Sequence, residues 1–472
     1  MSIAPYLSDP PAIDERASFD LVRHGHLDLV QAVAFNSYGD RCATGSVDGK
    51  IRVFNRHKDG IWRHCDNWGA HGGEILELQW LPPTIYPNLL ASLGIEGRFK
   101  LWAEDPSAAP GRRFSTRVGS SRQHHQTAVD GSPSAGGSFG GVANPKAAFE
   151  TRNSRSPYRS FSMKHLDDSR HTYLALVSAD GGLTVYENEA PEDLADYTQM
   201  DEFSACARPA RGEETSFRVR FDPNPDVCYT ALRAGVPADA LGLVVAAMDT
   251  VRIYRTRDVV GASLGVATTA RQFYLAAEVG IHKGLVRDVA WAPGNIRGYD
   301  IVATACQDGY VRVFKVTTPL GGPEASGESD GKDKTEERPA GWSVGEIKKH
   351  SRRSGGGGQG AGGDDDAPAR RGVTSELMQA LPKSGIRAGF DQLKTSGERR
   401  SAAPAQVRHV VSEISRLDSH RTPVWRVGFD DDGQILGSVG DEGRLICYRQ
   451  TPDGSWAKSS ELSMIKVKMA AP

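Results

Sequence analysis

Short runs of alternating apolar and polar residues recur along the chain, each just after an acidic residue followed by glycine. Asp48-Gly49 precedes Ile51-Arg52-Val53-Phe54, Glu96-Gly97 precedes Phe99-Lys100-Leu101-Trp102, and Asp308-Gly309 precedes Val311-Arg312-Val313-Phe314. A period of two sends alternate side chains to opposite faces of a strand, so each run predicts a strand with one apolar face. The Asp-Gly and Glu-Gly pairs supply the tight turn that lets such a strand fold back on its predecessor. The predicted elements are hairpins, and the chain is read as all-β.

The hairpins belong to a longer repeated unit. It opens near a His, continues through an alternating strand ending in Phe or Trp and a small-residue strand, and closes with the turn and the run just described. Clear copies span His26 to Phe54, His71 to Trp102, His282 to Phe314 and His420 to Tyr448. Two weaker copies end at Tyr186, with Asp180-Gly181 as the turn, and at Tyr254, where Thr250 stands in place of the usual glycine after Asp249. Where no insert intervenes, the spacing approaches the roughly 40–45 residues of a WD repeat. A four-stranded blade cannot bury both faces alone, so the blades must stack around an axis. Six units predict a WD40 β-propeller with six blades in the chain.

Certain polar residues recur at matched places in the unit: His26, His71, His282 and His420 at its start, and Asp48, Asp180 and Asp308 in its turn. With Ser or Thr and a strand-end aromatic such as Trp102, they suit a network tying the turn of a blade to its inner strands. These are expected structural residues. The four histidines lie in different repeats, and none has a second histidine or a cysteine three or four residues away, so no metal is expected.

Two stretches interrupt the pattern. Residues 115 to 160 are rich in Ser, Gly, Arg and Gln, and residues 317 to 406 contain GGPEASGESDGKDKTEERPAG and SRRSGGGGQGAGGDDDAPARR. Such compositions bury too little apolar surface to offset ordering entropy, so both are expected to be disordered inserts. The domain plan is a flexible N-terminus over 1–16 and one propeller over 17–472, broken at about 115–160 and 317–406. Within the second insert, Ser375 to Lys394 has apolar residues at helical spacing, interrupted by Pro382 and Gly385; it reads as a docking peptide or as a solvated stretch. Ser156-Pro157 in the first is a candidate phosphorylation site.

The ends bear on how the ring closes. ASFDLVRHGH before His26 and GSWAKSSELSMIKVKM after the last unit both read as outer strands. If each terminus has its own, the ring stays open, with strand edges at a gap that a partner can extend. Phe19, Leu21 and Val22 at one edge, and Leu462, Met464 and Ile465 at the other, are the expected partner-binding residues.

Composition adds mainly exclusions. Lys plus Arg total 57 against 59 for Asp plus Glu, so no overall field attracts nucleic acid or an anionic membrane, and neither is expected as a direct partner. The six cysteines form no CxxC and no zinc-spaced cluster, and Cys42, Cys306 and Cys447 fall in strand-like runs as small hydrophobes. Reduced thiols, the absence of a leader-like opening and the lack of a long apolar stretch predict a cytosolic or nuclear protein reaching membranes only through partners. No nucleotide loop, nucleophile elbow or zinc-protease motif is present; GSVGDEG (437–443) looks superficially like a phosphate loop but sits at a strand–turn–strand position. Neither a catalytic role nor a cofactor is expected.

With the repeats aligned, the chain resembles the Seh-type WD-repeat nucleoporins of the Y-shaped nuclear pore coat, relatives of the Sec-thirteen coat protein. The resemblance rests on HGHLDLVQAVAFNSYGDRCATGSVDGKIRVFN, NWGAHGGEILELQW, KLWAEDPSAAPGRRF and HKGLVRDVAWAPGNIRGYDIVATACQDGYVRVFK. It implies an open propeller completed by a blade from a helical-solenoid nucleoporin, at the nuclear pore, supporting transport of protein and mRNA. It also implies a second setting, in a nutrient-signalling (TORC) complex at the vacuolar or lysosomal membrane. The long inserts, and a last unit ending in LICY without a tryptophan, depart from the family pattern. A vesicle-coat subunit of the Sec-thirteen type and a ubiquitin-ligase-associated WD adaptor are the alternatives; for the latter no ligase-docking motif is identified.

Overall fold

A computed structural model describes residues 22–84, 88–108, 113–114, 146–263, 266–294, 297–319 and 406–463. The chain divides into one unit of residues 1–322 and 402–472, which holds every described strand, and a second of 323–401, which lies outside the described residues.

Each repeat folds as a four-stranded antiparallel meander. Blade 1 is β1 (Val30–Phe35), β2 (Arg41–Ser46), β3 (Lys50–Arg56) and β4 (Trp62–Gly69). Blade 2 is β5 (Ile75–Trp80), β6 (Leu89–Gly94), β7 (Arg98–Ala103) and β8 (Phe149–Arg152). Blade 3 is β9 (Tyr158–His165), β10 (Thr172–Ser178), β11 (Gly182–Asn188) and β12 (Thr198–Ser204). Blade 4 is β13 (Phe217–Phe221), β14 (Gly242–Ala247), β15 (Thr250–Ser263) and β16 (Val266–Val279), with a one-turn helix α1 (Tyr229–Arg233) between its first two strands. Blade 5 is β17 (Val286–Trp291), β18 (Asp300–Cys306), β19 (Val311–Thr317) and β20 (Val410–Leu417). Blade 6 is β21 (Val424–Phe429), β22 (Ile435–Gly440), β23 (Arg444–Gln450) and β24 (Trp456–Ser463).

The turn chemistry explains the meanders. Gly49, Gly97, Gly181, Gly309 and Gly443 all have positive φ, where a Cβ is disfavoured. At Gly49 a Cβ would also lie 2.5 Å from the carbonyl oxygen of His71 in the next blade, so this glycine sets blade spacing too. Blade 4 lacks the glycine. Its turn is shorter, with Ala247 facing Thr250, and Met248 takes the positive φ (62°) instead.

Blades are joined by apolar layers between successive sheets. Ile51, Val53 and Trp68 of blade 1 pack with Trp80, Leu90 and Trp102 of blade 2. Similar layers join blades 2 and 3, 3 and 4, 4 and 5, and 5 and 6. Among the described residues no apolar core joins blade 6 to blade 1. The molecule is a six-bladed, all-β WD40 propeller whose ring is not closed.

The recurring polar residues lie at the turns. His26 Nε2 is 2.9 Å from Thr44 Oγ1, and its Nδ1 is 3.3 Å from the Asp48 carboxylate. His71 meets Ser92 Oγ and Glu96 at 2.7 Å each, and Trp102 Nε1 donates to the same Ser92 hydroxyl at 2.9 Å. His420 meets Ser438 and Glu442 at 2.6 Å each. Asp180 accepts from Ser178 at 2.5 Å. Blade 5 differs: His282 meets Thr304 at 2.9 Å, but Asp308 accepts from Arg312 at 2.6 Å. Burial works against the charge on Asp308, yet the hydrogen bonds from Arg312 outweigh it and hold the carboxyl down at about 2.

Two expectations about the interruptions need correction. Phe149–Arg152 and the start of β9 lie inside the stretch 115–160, so the first interruption ends earlier than its composition suggested; the strand FETR has only one large apolar residue to announce it. Ser156 is buried at the turn into β9, not exposed on an open loop. Ser375 to Lys394 lies outside the described residues.

Candidate functional site

Among the described residues, six sheets joined by five interfaces leave two faces without a neighbour. One is the face of blade 1 that fronts the preceding position in the ring. In blade 2 the corresponding face carries Trp80, paired with Leu90 and through it with Trp102, and all three are buried against blade 1. In blade 1 the matching row is Phe35, Cys42 and Phe54, flanked by Val33. Val33 is 55% exposed and Phe35 58%, whereas Trp80 is 7% exposed. The residue types are alike; the difference is the missing neighbour.

The other open face is on blade 6. In blade 5 the face toward the next blade carries the row Asp288–Ala305–Val311–Leu417, every member buried. In blade 6 the matching row is Arg426–Val439–Leu445–Leu462. Val439, Leu445 and Leu462 are exposed by 36%, 36% and 37%. The parallel row begins Gly428–Gly437–Cys447, and the space above the Gly428 Cα is open. An apolar ridge therefore runs beside a shallow glycine trough.

The two faces meet at the axis. Val33 of blade 1 and Gly428 and Val439 of blade 6 line a central cavity of about 900 Å³, which is walled by the inner strands of all six blades. Across it, Glu77 of blade 2 accepts from Arg218 at 2.9 Å and lies 3.2 Å from Arg220, both on blade 4. Burial raises the cost of the Glu77 charge, but Arg220, Arg218 and Arg426 more than offset it and hold its carboxyl below the usual value. Buried acids and bases are thus paired across the channel, and the apolar surface left uncovered at the ring's break is on blades 1 and 6.

The edge residues expected from sequence fare unevenly. Leu462 lies on the open face of blade 6, opposite Leu445 on β23. Val22 is exposed and outside any strand. Phe19, Leu21, Met464 and Ile465 lie outside the described residues. The C-terminal segment does supply an outer strand, β24. However, blades 1 and 6 already have four strands each, so the described gap offers sheet faces where strand edges were expected. Val33, Phe35, Val439 and Leu445 were missed. Period-two alternation within aligned repeats gives their face, but not that the face lacks a neighbour.

Residues 19–55 match the WD domain, G-beta repeat model. Along the whole chain, the protein called Nucleoporin SEH1 in Chaetomium thermophilum is 57% identical, with 99% of each chain covered. The chain belongs to the SEH1 nucleoporin family. The Saccharomyces cerevisiae SEH1 protein is 27% identical over 90% of this chain and 94% of its own, and the Homo sapiens one is 24% identical over 63% and 70%. As an SEH1-family WD40 propeller, the protein is a non-catalytic scaffold. The KLWAEDP…GRRF stretch of this SEH1-family chain has a packing role. Phe114 stacks on Trp68 with ring centroids 4.9 Å apart, and its backbone N–H donates to Asp66 at 2.8 Å. Glu104 accepts from Arg41 of blade 1 at 2.5 Å. The motif thus fastens blade 2 to blade 1.

Proposed function

We propose that this chain is a structural subunit of the nuclear pore coat at the nuclear envelope, and that a blade from a helical nucleoporin fills the gap between blades 6 and 1. The observation that carries the reading is the pair of open faces, whose counterparts at the other described interfaces are buried or partly buried. Val33 and Phe35 on one side, with Val439, Leu445 and Leu462 on the other, present apolar side chains that a seventh sheet would cover. Full burial of such side chains is worth about 1.5–3 kcal/mol each. The mode is blade insertion, with sheet faces packing at about 10 Å, in place of extension of a free edge. SEH1 family membership supports the pore setting and its role in protein and mRNA transport. The same gap would serve the nutrient-signalling complex at the vacuolar or lysosomal membrane that the resemblance implies.

The test is affinity purification of the tagged full-length chain beside its Val439→Asp/Leu445→Asp variant. The expected result is a large helical nucleoporin recovered in near-equal amount with the wild type and lost with the variant, whose melting temperature stays near that of the wild type. Retention of that partner by the folded variant overturns the gap as its binding site. Recovery of nutrient-signalling subunits, with no nucleoporin, overturns the pore assignment.

A further inference from the structure

One position of the innermost strand can be matched through all six blades by its register, four residues before the turn on the neighbouring strand. It is occupied by Ala32, Glu77, Ser160, Arg218, Asp288 and Arg426 in blades 1 to 6. In blades 2 to 5 the side chain at this position reaches the main chain of the next blade's inner strand. Glu77 accepts from the Phe161 N–H at 2.9 Å, and Ser160 Oγ accepts from the Val219 N–H at 3.2 Å. Arg218 Nε donates to the Arg287 carbonyl at 3.2 Å, and Asp288 accepts from the Val427 N–H at 3.3 Å. Four interfaces out of five are thus fastened by one side-chain-to-backbone hand-over, whose polarity follows the residue: acceptors take an N–H and the arginine gives to a carbonyl.

Arg426 ends the series. It lines the central cavity beside Val439 and faces the gap. Among the described residues its side chain has no hydrogen bond and no ion pair, and its charge acts across the channel on Glu77 and Arg218. We infer that Arg426 completes the hand-over on the incoming blade: its guanidinium donates to a main-chain carbonyl on that blade's innermost strand, as Arg218 does to Arg287. The ligand is therefore an extended backbone segment of another chain, running beside the channel with a carbonyl turned toward blade 6. Because the acceptor is main chain, Arg426 fixes the depth and register of the inserted blade with little regard to its side chains.

This inference rests on the proposal that a blade fills the gap, and the experiment separates the two. The complex of the full-length chain with its co-purified helical nucleoporin is reconstituted with wild type, Arg426→Met, Arg426→Lys and Val439→Asp, and affinity and free-chain melting are measured. Arg426→Met keeps the apolar stem and is expected to weaken binding about 10- to 100-fold, the range for a hydrogen bond from a charged group. Arg426→Lys, which keeps a charged donor without the planar fork, should recover part of that loss. Melting of the free chain should not move in either Arg426 variant. If Arg426→Met binds within about two-fold of wild type while Val439→Asp abolishes binding, the hand-over is wrong and the gap reading stands. If Val439→Asp also binds normally, the gap reading fails and takes the hand-over with it. A matching drop in free-chain melting with Arg426→Met would assign the residue a structural role within this chain, against the inference.

Discussion

At the scale of single residues, the histidines at the blade turns separate by what faces them. His71 and His420 each hold a carboxylate and a hydroxyl. His282 has lost its carboxylate to Arg312, and burial, with that guanidinium nearby, pushes its pKa down to about 4. An unfolded chain titrates His near about 6.5. Between those values the unfolded state takes up a proton that folded His282 refuses. Stability from this residue is therefore complete above the upper value and is lost as pH falls toward the lower. His409, buried and beside Arg255, is pushed down to about 3 and acts with the same sign. Asp300, raised to about 6 by burial and by Asp222, acts with the opposite sign, so the informative comparison is a difference. Urea midpoints measured from pH 4 to pH 7 should fall less steeply on acidification in His282→Gln than in wild type. Parallel slopes would show that His282 is not the group being charged.

The matched histidines and turn acids could be picked out from sequence because each repeat supplies an internal reference for the others. What sequence hid was the diversion of Asp308: Arg312 looks like any polar residue of an alternating strand until the hairpin brings it under the turn. Phe114 was hidden for a related reason, since the aromatic of GRRF enters the core of another repeat. Cys42 and Cys306 did read correctly as small strand residues; burial pushes both thiols up to about 11.

At the scale of elements, inner strands were the legible ones and outer strands were not. In blades 1 to 5 the second strand is buried on both faces and carries a dense apolar or small-residue run, as in LGLVVAA of blade 4. Outer strands such as Thr198–Ser204 and Phe149–Arg152 are half exposed and nearly polar, so little in their composition separates them from loops. The last outer strand, β24, is an exception because Trp456 marks it. This side chain is 4% exposed and lies 5.6 Å from the Phe429 ring, and its backbone N–H donates to Ser415 of blade 5 at 2.7 Å. Trp456→Ala should cost about 3–5 kcal/mol, the usual price of emptying a large aromatic site. Hydrogen exchange should then quicken in β21 to β24 while β9 to β12 keep their protection. An equal change in both sheets would mean that the blades do not open separately.

At the scale of the whole molecule, the break in the ring is a property of the set of blades and of no single residue. Phe35 and Trp80 end equivalent strands, and only the absence of a blade before the first makes one exposed and the other buried. The count of six repeats and an outer strand read at each terminus pointed to an open ring; the ring is open and the C-terminal strand is present as β24, while described residues 22–29 before β1 form no strand. Partner binding should therefore act unevenly. A ligand at about 100 times its Kd adds about 2.7 kcal/mol to the stability of the state it binds. With the helical nucleoporin bound, β1 to β4 and β21 to β24 should gain protection from hydrogen exchange, with β13 to β16, across the ring, unchanged. Protection centred on blade 4 would relocate the interface to the long β15–β16 ribbon.

The missing sixth interface has a mechanical meaning. A closed propeller behaves as a hoop, in which the angle between neighbouring sheets is dictated by their number. The present ring is closer to a split collar: with no sixth layer among the described residues to fix the break, small rotations at the five apolar layers would add up there and set its width. If a partner's blade fills the break as proposed, such a collar would grip blades of unequal thickness with the same two jaws. One scaffold could then be shared among assemblies whose inserted blades differ in sequence, because closure adapts to the guest in place of selecting a single shape.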